Sequence, residues 1–100
     1  MRQILLFLSV EPKLKFMSLY ALQKLIRDVN RKPALRKDYF DSPAQFAQSY
    51  ELSEDERAAL LKLDIGQLYA KGVHGLLLRP FTILHSVSEA DYLKAIRGEK

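Results

Sequence analysis

Between residues 18 and 98 the chain marks the start of a helix again and again. Ser18, Pro33, the pair Ser42-Pro43, Ser53, Asp64 and Ser88 each stand just ahead of apolar residues at helical spacing. A Ser or Asp oxygen can accept a free N–H of the first helical turn, and the fixed φ of proline suits the first helical position. Starts this closely spaced allow only short helices. A short helix is marginal alone in water, so these must share one buried core. No alternating β-branched run interrupts them, so strands are not expected. The pattern predicts an all-α fold, a compact bundle of about five to six short helices.

The first predicted helix carries Leu19, Leu22, Leu25, Ile26 and Val29 on one stripe and closes at Asn30 to Lys32. Pro33 opens a second with Leu35, Tyr39 and Phe40. Ser42 as N-cap and Gln45 at N3 form a predicted capping box ahead of Phe46 and Tyr50. Ser53-Glu54-Asp55-Glu56 is another, with three acids where the helix dipole favours negative charge. Leu60, Leu61 and Leu63 supply the apolar side of that helix. Asp64 caps a helix that ends at Lys71-Gly72, and Ser88 caps one that ends at Gly98. The segment Val73 to Leu84 is more apolar than its length needs, and Arg79-Pro80 predicts a break near Leu78. The expected core contains Leu22, Leu25, Leu60, Leu61 and Leu68.

Residues 1–16 stand apart. Ile4-Leu5-Leu6-Phe7-Leu8 is far shorter than the ~20 apolar residues of a membrane helix, and Glu11-Pro12-Lys13 follows where a signal-peptide cleavage site would need small residues. The segment reads as an apolar N-terminal arm or extension ahead of a helical domain over 17–100, in a cytoplasmic protein with no membrane role. At 100 residues, 48% of them hydrophobic, the chain is one domain.

The net charge of +4 is unevenly spread. Lys24, Arg27, Arg31, Lys32, Arg36 and Lys37 form a basic patch, either a solvated helix face and turn or a footprint for nucleic acid or acidic protein. No aromatic interleaves with it and no helix-turn-helix follows, which argues against nucleic acid. The chain has no cysteine and two histidines, so metal chemistry would need carboxylate ligands, and no phosphate loop or HExxH motif is present. No catalytic or metal-binding residue is assigned. His74 reads as a turn or helix-terminal histidine, His85 as structural, Asp64 as a cap, and Glu54-Asp55-Glu56 as a helix start.

The ordered landmarks Leu35-Arg36 with Tyr39, Leu52-Ser53 with Glu54 and Glu56, Ala59-Leu60-Leu61 with Asp64, and Leu68 with Gly72 resemble a known pattern. Its motifs are "lR..Y..D", "Lt.eE..All..D" and "L...G" followed by an apolar helix. They belong to the small-subunit domain of LigAB-type extradiol dioxygenases, the α subunit of protocatechuate 4,5-dioxygenase. The resemblance covers about residues 18–98 and rests on helix-start and core residues rather than catalytic ones.

What the resemblance implies is a division of labour. The iron, its two His and one carboxylate, and the ring-cleaving chemistry belong to the large subunit, so this chain would carry no cofactor and would not be catalytic alone. The small domain covers the active-site mouth and helps shape the substrate pocket. Where the dioxygenase subunits insert a Gly-rich, Phe-containing loop before the last cap, this chain has only Arg79 to Ser86, with Phe81 as the substitute. The same helical domain also serves as a recognition module in precursors of backbone N-methyltransferases. The expected function is an accessory subunit for a large catalytic dioxygenase subunit. The alternative is a stand-alone protein- or peptide-recognition module, and a basic-patch nucleic-acid binder is the weaker third. The expected partner interface is His74, Leu76, Leu77, Arg79 and Phe81, and a second copy of the chain would also satisfy it.

Overall fold

The computed structural model describes residues 18–98. They form seven helices and, among the described residues, no strand: α1 (residues 18–31), α2 (Pro33–Asp41), α3 (Pro43–Gln48), α4 (Glu54–Leu61), α5 (Ile65–Ala70), α6 (Gly75–Leu84) and α7 (Glu89–Arg97). The fold is all-α, cut into somewhat more pieces than the spacing predicted. The proposed arm over residues 1–16 lies outside the described residues.

Helix α1 contributes Leu22, Leu25, Ile26 and Val29, all fully buried. Their spacing of i, i+3, i+4 and i+7 is the one stripe a helix can turn inward. Two carbonyls at its C-terminal end would otherwise lack donors. Arg36 in α2 supplies them, with Nε donating to Val29 O at 3.0 Å and a terminal nitrogen donating to Asn30 O at 2.7 Å. Helix α5 packs on α4, α6 and α7, while α3 joins α2 to α4. The α5–α7 approach requires glycine, because a Cβ at Gly66 would stand 2.9 Å from the Ala95 carbonyl oxygen. Tyr39 and Phe81 fill the centre with Leu60, Leu68 and Leu78.

Several starts act as predicted. The Ser53 hydroxyl accepts from Glu56 N–H at 3.2 Å, and Glu56 Oε1 accepts from Ser53 N–H at 2.9 Å, which closes the capping box. Asp64 and Ser88 accept from Gln67 and Asp91 N–H groups. Ser42 differs, for it makes no side-chain cap bond. It is the single residue between α2 and α3, its own N–H still donates to Asp38 O, and φ −153°, ψ 83° does not swing the hydroxyl onto α3.

Two further expectations are corrected. Leu61 is 41% exposed, not core. Glu56, Ala59 and Leu60 form the inward face of α4 at i, i+3 and i+4, and Leu61 lies a further 100° round the helix. Helix α6 also runs through Pro80 instead of breaking near Leu78. The proline removes one N–H, and the carbonyl that loses its donor belongs to Leu76, whose exposed position lets water replace the bond.

Helices α4, α5 and α6 end in one device. Leu63, Gly72 and Ser86 hold left-handed φ values of 52°, 110° and 63°. Their N–H groups donate to Leu60, Tyr69 and Ile83 carbonyls, and the next residues donate to Ala59, Leu68 and Thr82. This paired closure reverses the chain in two residues, so the next N-cap follows at once. A Cβ at position 72 would also lie 3.2 Å from Leu19 Cδ2, so that leucine would have to shift.

Candidate functional site

The first turn of α6 lies beside α1. The His74 N–H donates to Gln23 Oε1 at 3.1 Å, and Asn30 Nδ2 donates to the Leu77 carbonyl at 2.9 Å. Between these ties runs a groove lined by Tyr20, Gln23, Lys24, Arg27, Asp28, Arg31, Lys32 and Leu77. Two regions that are separate in the sequence, the basic run and the apolar segment after Val73, are therefore one surface.

Asp28 is the carboxylate of that groove and is nearly buried. Burial pushes its carboxyl up, but the Tyr50 hydroxyl donating at 2.6 Å, with Lys32 at 3.4 Å and Lys24 further off, holds it below the usual carboxylate range. Its own burial first, and then the same bond, push the Tyr50 hydroxyl up. Asp28 is thus committed to its partners. Lys24, Arg27 and Arg31 are exposed and make no ion pair among the described residues.

The other basic residues do not join this surface. Arg36 is spent on the end of α1, and Lys37 pairs with Asp41 at 3.8 Å within α2. Of the expected interface, Leu76 is 81% exposed, Leu77 is half-buried and His74 is exposed. His74 also caps α6, its Nδ1 accepting from Leu76 N–H at 3.1 Å. Phe81 is fully buried and is withdrawn from the interface, because α6 turns it to the core beside Leu78. Arg79 is occupied on the α7 side. Its guanidinium lies 5.1 Å from the Tyr92 ring centre and donates to Val87 O and Thr82 Oγ1. Tyr20 and Gln23 were not read as site residues, although Tyr20 stands four residues before Lys24, one turn along the same face.

His85 closes α6 inside a cluster of rings formed by Tyr39, Phe40 and Phe81. Its Nε2 lies 2.9 Å from the Tyr39 hydroxyl. Burial lowers the His85 pKa and so favours the neutral ring, which shares this hydrogen bond with Tyr39, whose own pKa burial pushes up to about 12. Both histidines are therefore engaged in structural bonds. Among the described residues no group of three or more His, Cys, Asp or Glu could hold a metal ion. No described helix is long and apolar enough to cross a membrane.

Fold and surface define a small all-α domain with a cationic groove that the half-buried Leu77 and the exposed Tyr20 also line. A family model, the LigA subunit of the aromatic-ring-opening dioxygenase LigAB, matches residues 22–100. The chain belongs to this family. No curated protein and no solved structure gives a match.

Proposed function

We propose that the chain is the non-catalytic small subunit of an aromatic-ring-opening dioxygenase. It docks on a larger subunit that holds the iron, and helps close that subunit's active site over a catechol. Membership of the LigA family over residues 22–100 is the observation that carries this reading. The side chains agree with it. His74 and His85 hold helix ends and a buried tyrosine, while Leu76 offers uncovered aliphatic surface. The chain's contribution is shape and exclusion of water, with Phe81 stiffening α6 from within the core.

The test is co-production with a LigB-type large subunit from the same genome. The two chains should purify as one complex, and catechol-dependent O2 uptake should fall at least about tenfold when the small chain is left out. A large subunit that neither binds the chain nor loses turnover without it overturns the proposal.

A further inference from the structure

We infer that the α1–α6 groove is a docking site for an acidic amphipathic helix of the large subunit, an inference that rests on the function proposed above. Tyr20, Lys24, Arg27 and Arg31 fall at i, i+4, i+7 and i+11, so they stand in one stripe along α1. At 1.5 Å per residue that stripe is about 16 Å long, three turns of a partner helix. Three of its four members are exposed cations with no ion pair among the described residues. The carboxylate inside the groove, Asp28, is already held by Tyr50 and Lys32. The surface thus presents positive charge that no ion pair among the described residues balances.

Charge alone would suit many polyanions, and the aliphatic edge narrows the choice. Leu77 lines the groove, and its neighbour Leu76 is 81% exposed. Tyr20, at the end of the stripe, is 68% exposed. A phosphate backbone makes no use of Leu77 in the groove or of the exposed Leu76 beside it on α6. A helix with carboxylates on one flank and apolar residues on the other covers the cations and the leucines together. Helix α6 is fastened to α1 by the Gln23 and Asn30 bonds at either end of the shared seam, so both walls of the groove are held in register.

Affinity of the chain for the large subunit, measured at several salt concentrations, tests this. Lys24→Glu/Arg27→Glu/Arg31→Glu should weaken the complex by about 100-fold and flatten its salt dependence. Leu76→Asp should weaken it by about tenfold. The control Lys62→Glu/Lys94→Glu, exposed on α4's end and α7, should stay within about threefold of the parent. Should the triple reversal fail to fold, the Gln triple variant at the same positions gives the same ranking with a smaller loss. If the unaltered chain binds and the triple variant binds equally well, this inference falls while the proposed function stands. If the unaltered chain forms no complex with the large subunit, the function falls and takes this inference with it. A complex untouched by the triple variant, together with duplex DNA binding or self-association abolished by it, would reassign the groove to that occupant.

Discussion

Ser86 and Leu63 are the residues where local chemistry is least comfortable. Both are side-chain-bearing residues in the left-handed region, with φ of 63° and 52°, where an L-residue costs roughly 1–2 kcal/mol. Ser86 is exposed, so Ser86→Gly should stabilise the fold by about 0.5–1 kcal/mol, read as a higher urea midpoint. Leu63 is half-buried against the core, and the same change there would lose packing as it relieved strain. The half-buried His85 and the buried Tyr39 shape the acid and alkaline limbs of stability, with Tyr50 adding to the alkaline one. His85 has its folded pKa lowered by burial from 6.5, so the unfolded chain takes up the proton first. The stability is complete above about pH 6.5 and declines as pH falls towards the folded value. Tyr39 is raised from 10.0 to about 12, so its contribution is complete below 10 and is lost as pH rises towards 12. Urea midpoints across pH should therefore form a plateau between these limits. His85→Gln should remove much of the fall between pH 7 and 5.5; a parent whose midpoint is level through that range would contradict the burial of His85.

At the scale of the element, the joints carry the design. Three helices in succession end in the same two-bond reversal, and α5, α6 and α7 each begin within two residues of it. Because each closure hands its chain directly to a cap, the helices can be as short as six residues and still satisfy their ends. Helix α6 keeps a fault, since Pro80 sits in its interior. Pro80→Ala would restore a donor for the Leu76 carbonyl. Against the interior penalty of about 3 kcal/mol stands a smaller gain in unfolded-chain entropy. The expected result is a net stabilisation of about 1–2 kcal/mol, measured by denaturant titration. No change or a loss would mean that the proline ring makes a contact worth as much as the missing hydrogen bond.

At the scale of the molecule, α1 ties the core, α2 and the α6 groove together. Its four core residues are fully buried, its end is held by α2 and its outer face forms the groove with α6. Leu25→Ala should cost about 2–5 kcal/mol, a large part of the roughly 5–10 kcal/mol such a domain commands. Leu61→Ala should cost less than about 1 kcal/mol, because that side chain is already 41% in solvent. Equal losses at the two positions, by urea or thermal unfolding, would mean that the face of α4 is misassigned.

Much was legible in the residues themselves. Caps at Ser53, Asp64 and Ser88 and the apolar stripe of α1 depend on contacts within one turn, so spacing alone specified them, and with them the all-α class. The ordered landmarks at Leu35-Arg36, Ser53-Glu54, Asp64 and Gly72 pointed to the LigA family for the same local reason. Other outcomes turned on what lay across the fold. Leu61 and Phe81 are equally apolar, and only the rotation of α4 and α6 against their neighbours sent one out and the other in. Pro80 reads as a breaker, yet α6 continues through it, on a helix whose Leu76, one turn earlier, is exposed to water. The basic run divided by its partners, with Arg36 and Lys37 taken up nearby and Lys24, Arg27 and Arg31 left facing a groove. That groove joins residues about fifty positions apart. Its halves meet because Gln23 and Asn30 bind the start of α6, and a pairing across that separation is a property of packing, which no local pattern encodes.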